Sequence, residues 1–181
     1  FSFRATGEGH ISSLVFRSAV IDKNSELIIE PVGLMLAEAN RIKRFNYNKM
    51  AFMQSLDEMH SFKNKISPIF VLEKLGNTFT YGQLKRAIEE TRKNLKLSKK
   101  KKIIIEQMMW LAKSHYELEF SIDSALSERV IFPTANCERN GIEDARFVKF
   151  TDGNGEVTYY ATYTAYDGIS ILPRLLETKD F

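Results

Sequence analysis

Apolar and polar positions along the chain fall into three stretches of different period. From Phe1 to about Pro31 the pattern is that of strands. Phe1, Phe3 and Ala5 alternate with Ser2, Arg4 and Thr6, which is the period of a half-buried strand. Gly7-Glu8-Gly9 marks a turn, His10 to Ile21 a β-branched run, Asp22-Lys23-Asn24-Ser25 a second turn, and Glu26 to Glu30 a short third strand. Residues 1–31 are thus predicted to form a meander of antiparallel strands.

Residues 32–128 change to helical spacing. Met50, Met53, Leu56 and Met59 recur every third position and are expected on one helix face. Thr80-Tyr81-Gly82-Gln83 has the capping-box pattern, in which the Thr80 hydroxyl accepts from the third helical N–H while Gln83 reaches back. Leu84, Ala87, Ile88 and Leu95 follow on one stripe. Ser98 is a candidate cap for a further helix with Ile104, Met108, Leu111, Ala112 and His115 or Tyr116 facing inward. Four lysines, Lys99 to Lys102, oppose the macrodipole of a first turn, which favours a helix start nearer Ile103.

Residues 129–181 return to strands. Ala145–Thr151 and Val157–Tyr166 flank Asp152-Gly153-Asn154-Gly155, a strong hairpin signal because Gly and Asn tolerate positive φ. Ile169–Leu172 is expected to add a third strand. The fold class is therefore α+β, with a helical block between two strand regions.

Composition narrows the function classes. The chain has 181 residues, 44% of them hydrophobic and 27% charged, which suits one globular domain with an insertion. No apolar run approaches the ~18–20 residues that cross a bilayer. The net charge of +3 is too small to argue for nucleic acid by itself. Lys99-Lys100-Lys101-Lys102 reads as a solvated helix start in preference to a nucleic-acid or anionic-lipid site. One cysteine, Cys137, excludes an internal disulfide framework and fits a reducing, cytoplasmic setting. The abrupt start at Phe1-Ser2-Phe3-Arg4 and the equally abrupt end are read as cuts within a longer protein, so that any signal peptide of the parent would lie outside this chain.

The densest polar cluster runs from Asn136 to Arg146 and holds three carboxyl groups and two guanidinium groups. Loops held by a sheet are where catalytic groups concentrate. Strict alternation would place Glu143 and Asp144 on opposite faces, and Asp144 with Arg146 on one. A surface salt-bridge cluster is an equally good reading of these residues alone. In the following strand Tyr160, Thr162, Thr164 and Tyr166 fall on one face, and Tyr159, Ala161, Tyr163 and Ala165 on the other. Aromatic rings beside hydroxyls suit a sugar site, although a Tyr-rich core strand is the simpler reading. Gly7-Glu8-Gly9 lacks phosphate-loop spacing. Cys137 with the scattered His10, His60 and His115 gives no zinc spacing. Serine nucleophile elbows are absent.

Three stretches together resemble glycoside hydrolase family 130, the mannoside phosphorylases and mannosidases. Phe1-Ser2-Phe3-Arg4-Ala5 is similar to an early family strand, and His10 to Pro31 to the strand, turn and strand after it. The most specific match is Gly141-Ile142-Glu143-Asp144-Ala145-Arg146 with Tyr160-Ala161-Thr162-Tyr163-Thr164-Ala165-Tyr166. The family pattern there is Gly-x-Glu-Asp-Pro-Arg followed by Tyr-x-x-Tyr-Thr-Ala, and Ala145 stands where the family has proline. The block at 32–128 looks like the helical insertion of a longer subgroup.

The resemblance implies part of a five-bladed β-propeller acting with inversion on β-mannosides. Asp144 matches the general acid, Arg4 a substrate-contacting arginine, and Arg146, Tyr163 and Tyr166 residues that line or support the mannosyl subsite. The implied partner is a mannose-containing oligosaccharide, with neither nucleic acid nor membrane. No metal or cofactor is implied, and inorganic phosphate is the co-substrate of a phosphorylase. Inversion by water needs about 6.5–9.5 Å between the two carboxyl groups, and the second group is expected in later blades. The isolated chain is accordingly expected to be inactive. Two other readings stand beside this one: a non-catalytic glycan-binding module using the Tyr strand, and an interaction domain using the basic stretch from Arg92 to Lys102.

Overall fold

The computed structural model describes residues 1–42, 46–59, 67–94 and 96–181. The fold is mixed α+β. The chain starts with six short strands: β1 (Ser2–Thr6), β2 (Ser12–Phe16), β3 (Ala19–Ile21), β4 (Leu27–Ile29), β5 (Ala37–Glu38) and β6 (Asn40–Arg41). It continues through β7 (Asn46–Asn48), α1 (Lys49–Met59), α2 (Ile69–Leu72), β8 (Thr78–Thr80), α3 (Tyr81–Asn94) and α4 (Lys99–Ser114). It returns to strands with β9 (Leu118–Glu119), β10 (Arg129–Ile131), β11 (Ile142–Thr151), β12 (Val157–Tyr166) and β13 (Ile171–Thr178).

Two compact units result. Phe1–Arg41 and Leu118–Phe181 form the strand unit, and Ile42–Glu117 the helical unit. The strand unit extends inward from the expected limits at 31 and 129. The reason is pairing: β5 lies parallel to β10, and β6 pairs with β9 through Asn40–Glu119 and Arg41–Leu118.

In the strand unit a four-stranded sheet has the order β1-β2-β10-β5, and a three-stranded antiparallel meander the order β11-β12-β13. His10 to Ile21 is not one strand. It divides into β2, inside the four-stranded sheet, and β3, which among the described residues pairs with β4 alone. Leu14, Phe16, Ile131, Ile142, Tyr163 and Ala165 form the core of this unit. Two of its hairpins share one turn. Asp22 Oδ1 accepts from the N–H groups of Asn24 and Glu26, and Asp152 Oδ1 accepts from those of Asn154 and Glu156, all at 2.8 Å. The fourth turn residue is left-handed in both, Ser25 at φ 65° and Gly155 at φ 84°. The Asp side chain thereby supplies acceptors that the reversing backbone lacks.

The helical unit packs around Phe52, Leu56, Val71, Leu72, Phe79, Leu84, Ile105 and Met108, among others. In α1 the buried stripe is Phe52 and Leu56, while Met50 is exposed and Met53 and Met59 are only partly covered. Spacing by three falls short of a 3.6-residue turn, so a Met at every third position drifts off the face that a four-residue pair holds. The Thr80–Gln83 box forms as expected: Gln83 Oε1 accepts from Thr80 N at 2.7 Å, and Thr80 Oγ1 from Gln83 N at 3.3 Å. Leu84, Ala87 and Ile88 are buried with Thr91. Leu95 and His60 lie outside the described residues.

Helix α4 starts at Lys99, four residues before the start expected from charge. Ser98 Oγ accepts from Lys101 N, and Ile104, Ile105 and Met108 are buried. Lys99 and Lys102 are exposed at the helix start, where water screens their charges. The dipole penalty is therefore screened, and burial of the apolar face sets the start.

Candidate functional site

The expected site lies where β11 begins. Glu138 N–H donates to the Ala135 carbonyl, and Gly141 N–H to the Glu138 carbonyl at 2.7 Å, which coils residues 135–141 tightly. Gly141 then meets Ser12 in an isolated parallel bridge. Its φ is 132°, and a Cβ there would lie 2.9 Å from Ser12 Oγ and 3.0 Å from Ser12 N. Only glycine suits that combination of conformation and close approach.

Past Gly141 the strand bulges. Glu143 pairs with Thr164 and Arg146 with Thr162, so Asp144 and Ala145 together oppose the single residue Tyr163. Asp144 takes φ 57°, a left-handed conformation that aspartate tolerates better than most residues. Such bulges bend a strand and re-aim a side chain. The bulge corrects the expected alternation. Glu143 and Arg146, three apart, share the face of Thr164 and Thr162, and Asp144 and Arg146 do not follow the two-residue rule.

Arg4 and Glu143 form an ion pair, Nη1 to Oε2 at 2.5 Å, with the Arg4 side chain half exposed. Ser2 Oγ donates to the Ala145 carbonyl at 2.7 Å and ties β1 to the bulge. Tyr166 reaches the same end of the sheet. Its N–H donates to the Gly141 carbonyl at 3.0 Å, and its own carbonyl accepts from Asn140 N at 2.9 Å. Asp144, Arg4, Arg146 and Tyr166 are all exposed. Arg4 and Arg146 thus flank the carboxyl-bearing bulge, and Tyr166 stands beside it on the face of Thr162 and Thr164.

Tyr163 is separate from this group. It is buried on the opposite face of β12, with Ala161 and Ala165. Its hydroxyl donates to Glu138 Oε1 at 2.7 Å. Glu138 is fully buried, and its Oε2 accepts from the N–H groups of Thr134 at 2.9 Å and Ala135 at 2.8 Å. Arg174, directly across from Tyr163 on β13, brings Nε to 3.8 Å from Glu138 Oε1 and Nη1 to 3.4 Å from Cys137 Sγ. Burial pushes the Cys137 thiol above its ordinary value, against an opposing pull from the Arg174 charge. Buried polar groups persist when each finds partners, and Glu138, Tyr163, Arg174 and Cys137 make a clasp that holds the turn preceding the bulge.

On the far side of that turn, Asp167 Oδ1 accepts from Ile169 N at 2.9 Å and Ser170 N at 2.7 Å. These two N–H groups hold its carboxyl below the ordinary value. Arg139 Nε donates to the Asp167 carbonyl at 2.5 Å.

Neither Glu138 nor Arg174 is evident as a site residue in the sequence. The available signal is Arg174 as the one charged residue in the run Ile171-Leu172-Pro173-Arg174-Leu175-Leu176. Among the described residues no group of three or more His, Cys, Asp or Glu side chains is placed to hold a metal ion. Also among the described residues, no helix is long and apolar enough to cross a membrane. No protein-family model, curated protein or solved structure matches the chain.

Proposed function

We propose that the chain supplies part of the active site of an enzyme that cleaves β-mannosides with inversion, by phosphate or by water, with Asp144 as general acid. The observation that carries this reading is the left-handed Asp144 on a bulge between two arginines. Strain of this kind collects at functional sites, where surrounding structure over-determines it. Here the clasp around Glu138, the Gly141–Ser12 approach and the Ser2 contact supply that determination. Arg4 pairs with Glu143 and Arg146 shares the Glu143 face, so the two guanidinium groups stand at either end of the bulge and offer donors to sugar hydroxyls or phosphate. Tyr166 offers a ring for stacking beside Thr162 and Thr164. Tyr163 serves this site as a support and not as a sugar contact.

The sheet β11-β12-β13 supports the finer proposal that it is one blade of a propeller. One face carries the buried Ile142, Ala161, Tyr163 and Ala165, while the other exposes Val148, Phe150, Ile171 and Leu175. Apolar side chains on both faces are what a blade needs to pack against a neighbour on each side. In this reading the remaining catalytic group comes from another blade.

The test is an assay of the intact protein on β-manno-oligosaccharides with and without inorganic phosphate. Asp144→Asn is expected to lower the rate about 10²–10⁴-fold, the usual contribution of a positioned acid. A near-normal rate in that variant removes Asp144 from the role. Saturable binding of manno-oligosaccharides without turnover in either condition would favour the glycan-binding module, with the exposed Thr162 and Tyr166 and the half-buried Thr164 as its surface.

A further inference from the structure

The small net charge of the chain conceals a division. The helical unit, Ile42–Glu117, contains 16 Lys and Arg against seven Asp and Glu, a net of +9. The strand unit holds the other 10 Lys and Arg and 16 Asp and Glu, a net of −6, which restores the total of +3. Asymmetry of this size within one chain signals a polyanionic partner for the basic part. Its densest stretch runs from the end of α3 to the start of α4. Arg92, Lys93, Lys96 and Lys99 to Lys102 put seven cations in eleven residues, with no acid among them.

The solvent face of α4 says which polyanion. At 3.6 residues per turn, Lys99, Lys102, Ile103, Glu106, Trp110 and Lys113 fall within an arc of about 100°. All six are exposed, Ile103 at 53% and Trp110 at 44%. The opposite face buries Ile104, Ile105, Met108, Leu111 and Ala112. Lysines therefore outnumber the one acid three to one on a strip that also presents an aliphatic and an indole side chain. A phosphodiester backbone would use the lysines but has nothing to offer Ile103. A bilayer interface takes both: lysine heads meet anionic headgroups, while Ile103 and the amphipathic indole enter the boundary layer.

The geometry points to an anionic phospholipid surface as the partner of the helical unit, with α4 lying flat on it and the Arg92–Lys102 stretch supplying the long-range attraction. This docking is reversible and peripheral. It does not depend on the carbohydrate reading, since none of its residues belongs to the Asp144 site.

Trp110 is the single tryptophan of the chain and reports its own burial. The full chain is mixed with vesicles of phosphatidylcholine alone, with vesicles of equimolar phosphatidylcholine and phosphatidylglycerol, and with a DNA duplex. Co-sedimentation with the mixed vesicles only, with tryptophan emission moving to shorter wavelength, is the expected result. Raising salt from about 0.1 M to about 1 M shortens the screening length from about 10 Å to about 3 Å and should release the protein. Replacing Lys99 to Lys102 by Gln should weaken vesicle binding about 10²-fold or more, since each lysine near such a surface contributes several-fold. If that variant loses helical signal, Ile103→Ser with Lys113→Gln is read in its place, and unchanged vesicle affinity there overturns the proposal. Equal binding to both vesicle types, or none to either, overturns it. So does duplex binding with vesicles ignored, which would assign the surface to nucleic acid.

Discussion

The Tyr163 hydroxyl donates to Glu138 Oε1 at 2.7 Å, and Tyr163 is the one residue of β12 that faces the two-residue bulge carrying Asp144. Tyr163 therefore meets the buried clasp through its side chain and the bulge through its place in the ladder. Tyr163→Phe removes the donor but leaves Glu138 its two backbone N–H partners, and should cost about 1–1.5 kcal/mol. Glu138→Ala strips Thr134 N, Ala135 N and the tyrosine hydroxyl of their acceptor together, and should cost about 3 kcal/mol or more. Both are read as lower denaturant midpoints with unchanged m. Equal losses for the two variants would place the stabilisation in the tyrosine contact alone.

Gly141→Ala should destabilise by about 1–3 kcal/mol, because it combines a positive φ with a Cβ against Ser12. The nearest atoms include the Ser12 backbone nitrogen at 3.0 Å, which has little freedom to retreat. Ser12→Gly in the same background relieves the side-chain part of the clash and should recover only part of the loss. Thermal denaturation of the two variants measures this. Full recovery would show that the backbone conformation costs nothing.

Much of the fold was legible because local chemistry and tertiary structure agree. The Thr80–Gln83 box, the Asp152–Gly155 hairpin and the buried faces of α3 and α4 each follow from spacing within a few residues. Failures came where distant residues decide. The start of α4 was set by burial of Ile104 and Ile105 against the electrostatics of four lysines. The run from His10 to Ile21 was divided by partners far along the chain, β10 for one half and β4 for the other. At the site, alternation gave the faces of β12 correctly but failed on β11, because a bulge adds a residue without any mark in composition. Glu138 was legible as part of a polar cluster, but its burial under Tyr163 and Arg174 depends on strands 25 and more residues away.

Acid should weaken the turn between β12 and β13. Asp167 titrates below its ordinary value of 3.8 because the Ser170 and Ile169 N–H groups favour its charged form. A folded pKa lower than the unfolded one gives stability that is present above 3.8 and disappears as pH falls through the folded value. Asp167→Asn should therefore be less stable than the parent at neutral pH, with the difference closing below about pH 3.8. Parallel chemical denaturation from neutral to strongly acidic pH measures the gap. A pH-independent difference would mean that the side-chain charge is irrelevant to these two hydrogen bonds.

Cys137 should resist thiol reagents in the folded protein. Its thiol is buried and raised above the ordinary value, so little thiolate exists near neutral pH. Labelling then reports opening of the 134–141 turn. Arg174→Ala removes the group that lies against Cys137 Sγ and packs across from Tyr163. It should speed labelling severalfold by loosening the clasp, although losing the Arg174 charge by itself would raise the thiol further and slow the reaction. Slower labelling in that variant would show that charge outweighs packing here.

Asp144 gives the sharpest separation of stability from function. A non-glycine residue in the left-handed region costs about 1 kcal/mol, and Asp144 sits there at φ 57° with no burial in return. Asp144→Gly relieves that cost but gives the unfolded chain more freedom, a term of about 0.4–1 kcal/mol in the other direction. The net effect on folding should therefore lie between zero and about 1 kcal/mol of stabilisation. If the carboxyl group is the general acid, the same substitution removes about 10²–10⁴-fold in rate. The combination of an unharmed or firmer fold with lost mannoside cleavage is expected, measured as thermal midpoint and turnover on the same preparation. A marked loss of stability would show that the Asp144 side chain holds the bulge together, and the strained conformation would then need no catalytic explanation.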